Sequence, residues 1–358
     1  MRPARALIDL QALRHNYQLA REVTGAKALA VVKADAYGHG AVRVAQALET
    51  EADGFAVACI EEALELRAAG IRAPVLLLEG FFEASELPLI NEHDLWCVVH
   101  SLWQLDAIEQ ARLSKPLTIW LKLDSGMHRV GLHPKDYHEA YQRLLASGKV
   151  AKIVLMSHFA RADELDCVRS DEQVAVFEAA RHGLAAEVSL RNSPSVMGWP
   201  NVTSDWVRPG IILYGVSPLE TGDASDFGLQ PVMTLTSSLI AVREHAAGEP
   251  VGYGSTWTSD RDTRLGVVAM GYGDGYPRSA PNGTPVRVNG RIVPIAGRVS
   301  MDMITVDLGP DATDRVGDEV IFWGKDLPAE RVAAATGISA YELITQLSER
   351  VSRNYIGD

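Results

Sequence analysis

Eight short apolar runs, spaced by helix-like stretches and polar loops, fill the first 210 residues. They read ALAVVKA near 28–34, GFAVAC at 54–59, VLLL at 75–78 and LWCVVH at 95–100. LTIWLKLD at 117–124, AKIVLMSHF at 151–159, EVSLRNS at 187–193 and DWVRPGI at 205–211 complete the set. Most are apolar throughout rather than alternating, the pattern of parallel strands covered on both faces. Between them GAVRVAQALETE, IEEALELRAAG and SLWQLDAIEQARL read as helices, with Gly70 placed to stop the second. Eight strand–helix alternations in about 200 residues predict an α/β fold, a TIM (β/α)8 barrel over 11–230. A doubly wound open sheet shares this periodicity and is the competing arrangement.

Past residue 230 the texture changes. MTLTSSLIAVREHAAGEPVGYG and RLGVVAMGYGDGYP read as strands with glycine turns. Asn289-Gly290 is a two-residue hairpin signal. Helical periodicity returns only over 329–351. These features predict a mostly β C-terminal domain over 231–358. The strand-like ARALIDL, within an N-terminal strand at 1–10, lies outside the eight runs and is expected to join it. Two domains suit 358 residues, because single cores stop growing near ~250–300.

Composition removes several function classes. A formal net charge of −12 argues against nucleic acid, whose binding needs clustered cations. Cys59, Cys97 and Cys167 are odd in number, far apart and without a CxxC, so neither a disulfide framework nor a zinc site is expected. HExxH is absent, and His128, His133 and His138 are spaced five apart, so they do not share one helix face; no metal is expected. No secretory-type segment opens the chain, and no run nears the roughly 18 apolar residues of a membrane span. A cytoplasmic location with no membrane contact follows as an expectation. GYGDGYP has glycine spacing near a dinucleotide fingerprint, but Pro277 follows and a loop is expected.

Lys33 closes the first apolar run, at the strand end where barrels carry their chemistry. Such a lysine is either solvated or partly desolvated to serve as an imine-forming nucleophile. The stretch around it, AVVKADAYGHG at 30–40, resembles the pyridoxal-phosphate signature of alanine racemases. The resemblance extends in order through LKLDSGMHRVG (121–131), SHFA (157–160), RNSPS (191–195) and VRPGIILYG (207–215). It continues through VGYGSTW (251–257), GYGDGYPR (271–278), GRVSMDMITVDL (297–308) and SAYELIT (339–345).

The resemblance implies pyridoxal 5'-phosphate as cofactor, a homodimer with shared active sites, and a small amino acid as substrate. Racemisation removes a Cα proton from one face and returns one on the other, so a base is needed on each side. The resemblance assigns these to Lys33 and to Tyr253 of the partner subunit. A tyrosine with an ordinary pKa near 10 needs positive charge or hydrogen bonding to work near neutrality. Arg208 is implied to face the cofactor's ring nitrogen, and His158 to lie between Arg208 and Tyr253. Tyr37, Asn192, Ser193, Gly210, Ile211 and Tyr341 are implied around the phosphate, with Ser195 a weaker alternative to Ser193. Arg129 is implied at the cofactor's phenolic oxygen and the substrate carboxylate, and Met301 and Asp302 at the substrate. Lys122 is carbamylated in many relatives, which would turn it into an anion orienting Arg129. A decarboxylase of similar architecture and a non-catalytic carrier of the cofactor are the alternatives. The first is expected to lack GYGSTW, the second to lack the β domain.

Overall fold

Apolar runs without alternation need cover on both faces, and the architecture supplies it. The computed structural model describes residues 2–357; Met1 and Asp358, at the outer ends of the expected terminal segments, lie outside them. Strand β1 (Arg5–Asp9) leads into helix α1 (Leu10–Thr24). Asp9 caps this helix by accepting from the Gln11 and Ala12 amides, and Gly25 ends it with φ 65. Leu10, Leu13, Tyr17 and Ala20 give it one buried stripe.

Eight parallel strands follow: β2 (Lys27–Val31), β3 (Gly54–Val57), β4 (Val75–Leu77), β5 (Leu95–Val99), β6 (Leu117–Lys122), β7 (Val150–Met156), β8 (Glu187–Ser189) and β9 (Trp206–Val207). They pair in order from β2 to β8, and β9 returns beside β2 with Lys27 opposite Trp206. The Asn192–Arg208 bridge and the Arg208 amide on the Arg191 carbonyl tie β9 to the end of β8. The ring is closed, which settles the barrel against the open sheet. Leu29, Val31, Ala56, Leu76, Val98, Trp120, Val154, Met156 and Trp206 fill its interior. Their neighbours in sequence, such as Ala30, Val57 and Leu121, face the surrounding helices. Two buried faces at a period of two produce the unbroken apolar runs.

The end of the barrel away from the strand C-termini is plugged by Trp96, Trp120 and Trp206, with ring centroids 5.5–6.1 Å apart. Glu187 accepts from the Trp206 indole at 2.7 Å and pairs with Lys27 and Lys152, whose ammonium groups flank the same ring. Burial opposes the charged form of Glu187, but the bonds from Lys152 and Trp206 outweigh it and hold the carboxyl down at about 2. Its folded pKa lies below the ordinary glutamate value, so its stabilisation is present above that value and is lost as pH falls toward 2. The side chain is 32% exposed, which discounts the gain. Glu187→Gln should cost about 1 kcal/mol at neutral pH in equilibrium denaturation. The gap to wild type should shrink below about pH 4; a gap of constant size would remove this account.

The second sheet is built on β10 (Met233–His245), a 13-residue strand. The later strands are β11 (Pro250–Val251), β12 (Trp257–Thr258), β13 (Thr263–Val268), β14 (Pro285–Val288), β15 (Arg291–Pro294), β16 (Ile304–Asp307), β17 (Glu319–Trp323) and β18 (Ser352–Ile356). The sheet runs β15-β14-β17-β10-β1-β18, with β13 and β16 branching from β10, so β1 sits between β10 and β18. Asn289 (φ 45) and Gly290 (φ 83) turn β14 into β15, both in the left-handed region a tight hairpin demands. The expected helix over 329–351 is two short helices, Ala329–Thr336 and Ala340–Thr345. Gly337 at φ 71 stops the first, Ser339 caps the second, and the chain then turns into β18. Among the described residues no helix is long and apolar enough to cross a membrane.

Candidate active site

The C-terminal ends of the barrel strands open into a cavity of about 860 Å³. Lys33 and Tyr37 enter it after β2, Lys122 closes β6, His158 follows β7, and Asn192, Ser193, Arg208 and Gly210 follow β8 and β9. Arg129, Ile211 and Tyr341 complete the residues expected there. The lining carries two lysines and two arginines (Lys33, Lys122, Arg129 and Arg208) against one carboxylate, Glu79. On a chain of net charge −12 this is a local reversal of sign, suited to an anionic ligand.

Arg208 is 4% exposed. Its guanidinium donates to the carbonyls of Ser189 (2.9 Å), Ser157 (2.7 Å) and Leu190 (3.3 Å), to the Ser189 hydroxyl, and to His158 Nδ1 at 3.4 Å. None of these partners is a carboxylate, so Arg208 is no ion-pair strut. Burial lowers its pKa to about 10, which leaves it cationic at neutrality. Burial, then Arg208, Lys122, Arg129 and Lys33 in turn, keep His158 well below its ordinary value. His158 is therefore a neutral imidazole whose Nδ1 accepts from Arg208. Lys122, 7% exposed, is pushed down to about 8 by burial and by the charges of Arg208, Arg129 and Lys33.

A second cluster converges on a bare glycine. The Gly210 amide donates to Ser193 Oγ at 2.7 Å. A Cβ on Gly210 would lie 2.7 Å from the Tyr37 hydroxyl and 3.8 Å from Ser193 Oγ. Ile211 opens the short turn Ile211–Tyr214 beside it. Burial raises the Tyr37 hydroxyl to about 12 and raises Tyr341 as well, so both remain donors. Tyr37 stacks on Tyr214 at 5.0 Å and lies 6.0 Å from Tyr341. Ser195 is outside the cavity; its hydroxyl donates to the carbonyl and side chain of Asn192.

Lys33 is presented by an unusual turn. Ala34, Asp35, Ala36 and Tyr37 all have φ of 51–53, one turn of left-handed helix made of side-chain-bearing residues. Each costs roughly 1–2 kcal/mol against the right-handed form, so surrounding bonds must impose it. Glu62 supplies one by accepting from the Ala34 amide at 2.7 Å.

Three expected residues lie elsewhere. Tyr253 is 73% exposed and Met301 53%, and neither they nor Asp302 line this cavity. Tyr253 sits between Gly252 and Gly254, both left-handed, on a loop against Arg298. Asp302 pairs with Arg350 at 2.6 Å. The cavity also takes Glu79, His100, Phe81, Phe82 and Trp103, which the sequence reading did not single out. The rule that flagged Lys33 was available for Glu79 and His100, each of which closely follows an apolar strand.

Comparison with known proteins shows the family. The profile of the alanine racemase N-terminal domain matches residues 8–218, and that of the C-terminal domain matches 232–355. Alanine racemase of Pseudomonas taetrolens is 73% identical, and the catabolic alanine racemase of Pseudomonas putida 72%, each over the full length of both chains. The crystal structure of biosynthetic alanine racemase from Pseudomonas aeruginosa superposes with a TM-score of 0.97 at 48% identity, covering all of both chains. The chain belongs to the alanine racemase family.

Proposed function

We propose that this chain interconverts L- and D-alanine with pyridoxal 5'-phosphate, in a homodimer whose sites each draw on two subunits. The carrying observation is the split just described. Lys33, the phosphate-type cluster and the unpaired Arg208 share one cavity, while Tyr253 stands exposed outside it. The donor set fits the cofactor: a lysine for its aldehyde, a glycine cradle with two hydroxyls for its phosphate, and cations for its phenolate. When bound, pyridoxal phosphate supplies an electron sink that acidifies the Cα proton.

The protein's own groups do the rest. Lys33 holds the cofactor covalently and then moves the proton on one face. The partner's Tyr253 serves the other face. Tyr37, Ser193, Asn192, Tyr341 and the Ile211 amide hold the phosphate, with Gly210 leaving room for it and orienting Ser193 through its amide, while Arg129 takes the substrate carboxylate. Met301 and Asp302 of the partner subunit close the small pocket. Arg208, locked by three carbonyls, would face the cofactor's ring nitrogen as a donor and would offer it no site for a proton. His158 relays that positive charge toward the tyrosine. The chain divides into a barrel at 11–230 and a β domain at 231–358 joined by the first strand. Its three free cysteines suit a reducing cytoplasm.

Lys122 is suited to modification, because burial and the neighbouring cations lower its pKa to about 8 and so favour its neutral amine. Its nitrogen adds to carbon dioxide, releasing a proton and leaving a carbamate that attracts Arg129 instead of repelling it. Protein equilibrated with 13C-bicarbonate should show one carbamate resonance that Lys122→Met lacks; the same signal in both would remove the assignment.

The activity test is direct. Protein loaded with pyridoxal phosphate should abolish the optical rotation of L-alanine without releasing gas. Gas release would instead mark a decarboxylase, and a bound cofactor with no turnover a carrier.

A further inference from the structure

The left-handed turn after Lys33 is closed by its own bonds, the Ala36 amide on the Val32 carbonyl and the Gly40 and Ala41 amides on Asp35, and the tail of the chain holds its exit. The Arg353 Nε donates to the Gly38 carbonyl at 3.2 Å. Its remaining nitrogens are fixed on the carbonyls of Leu347, Ser348 and Val351 at 2.8–3.1 Å. The Tyr355 hydroxyl donates to the His39 carbonyl at 3.1 Å. The fit is close on both sides. A Cβ on Gly40 would fall 1.9 Å from the Tyr355 hydroxyl, and one on Gly38 would fall 2.5 Å from the Ile344 carbonyl. The ring of His39 completes the clamp: its Nδ1 donates to the Ala36 and Tyr37 carbonyls at 3.0 Å.

We propose that Arg353 and Tyr355, on the last strand, are positioning residues that set the spacing between Lys33 and Tyr37. The inference rests on the function proposed above, in which those two side chains take the cofactor's aldehyde carbon and its neighbouring phosphate arm. The turn between them has no glycine before Gly38 to relax it, and beyond its internal bonds the carbonyls at its exit, Gly38 and His39, are held by Arg353 and Tyr355. Both holders sit on β18, which among the described residues is an edge strand paired with β1 alone. Cofactor retention is thereby tied to the far end of the chain, more than 300 residues away in sequence.

Tyr355→Phe removes one hydroxyl from a half-buried side chain and keeps the ring; Arg353→Met removes the donors, and Arg353→Lys keeps a cation there. In the cofactor-free chain, amide exchange of residues 34–40 should speed up about fivefold in Tyr355→Phe, the effect of one lost hydrogen bond. In the loaded chain, release of pyridoxal phosphate should speed up by a similar factor, with kcat reduced and KM for alanine unchanged. Arg353→Lys should recover part of what Arg353→Met loses. If Arg353→Met does not fold, Tyr355→Phe carries the test alone. Folded Tyr355→Phe with wild-type exchange and wild-type cofactor release would overturn the proposal. Failure of the unmodified chain to bind pyridoxal phosphate would instead overturn the functional reading, while the exchange measurement still judges the clamp.

Discussion

Lys33→Ala protein, incubated with pyridoxal phosphate and dialysed, is expected to lack the visible absorbance that the unmodified protein keeps. Its racemisation rate should fall by at least about 10³-fold, because one substitution removes both the covalent attachment and one of the two bases. The structure makes this more than a formality, since two lysines line the cavity. Lys122 has the pKa of about 8 that suits a nucleophile. Its surroundings are wrong for the attachment: it stands among Arg208 and Arg129, and it is not part of the Tyr37–Ser193–Gly210 cluster. Lys33 stands four residues before Tyr37 on the turn that reaches that cluster. Borohydride reduction followed by peptide mapping separates the two. The label belongs on the peptide containing Lys33; a label on Lys122, or a Lys33→Ala protein that keeps its colour and rate, would overturn the assignment.

How much of this was legible before the structure differs by element, for physical reasons. The barrel strands were readable because two buried faces leave an unbroken apolar signature, and the end of the first then pointed to Lys33, whereas Lys122, His158 and Arg208 were legible only through the family resemblance. The Asn289-Gly290 turn was readable because only residues tolerant of positive φ fit it. Strand β18 was not. SRNYI has no apolar run, its burial alternates between exposed and intermediate, and it is a strand because β1 offers it a ladder. The left-handed turn was invisible for a related reason. Ala and Tyr have no local preference for φ above zero, so the turn's conformation comes from a set of bonds, to Glu62, Asp35 and His39, that no local pattern announces. The phosphate-type cluster was legible only through the family resemblance. No spacing rule would have chosen Ser193 over Ser195; the difference is that Ser195 is spent on Asn192.

Mixing two inactive proteins should restore activity. Lys33→Ala chains keep Tyr253, and Tyr253→Ala chains keep Lys33. If each site takes its lysine from one subunit and its tyrosine from the other, a mixed dimer carries one intact site and one doubly defective site. Random exchange at equal amounts makes half the dimers mixed, so about one quarter of the wild-type site activity should return. The structure supports this arithmetic from both directions. Tyr253 is 73% exposed and absent from its own chain's cavity, while Phe82 and Trp103 stand at the cavity with 57% and 44% of their surface exposed. An apolar rim beside a catalytic cavity is the kind of surface a second chain covers. The recovered activity should fall when excess Lys33→Ala chains dilute the mixed dimers, and it should appear at the rate of subunit exchange. No recovery, with exchange shown independently by a mass-tagged heterodimer, would mean that each site is built within one chain. Tyr253 would then have to swing in from its exposed loop, and a monomer would be active.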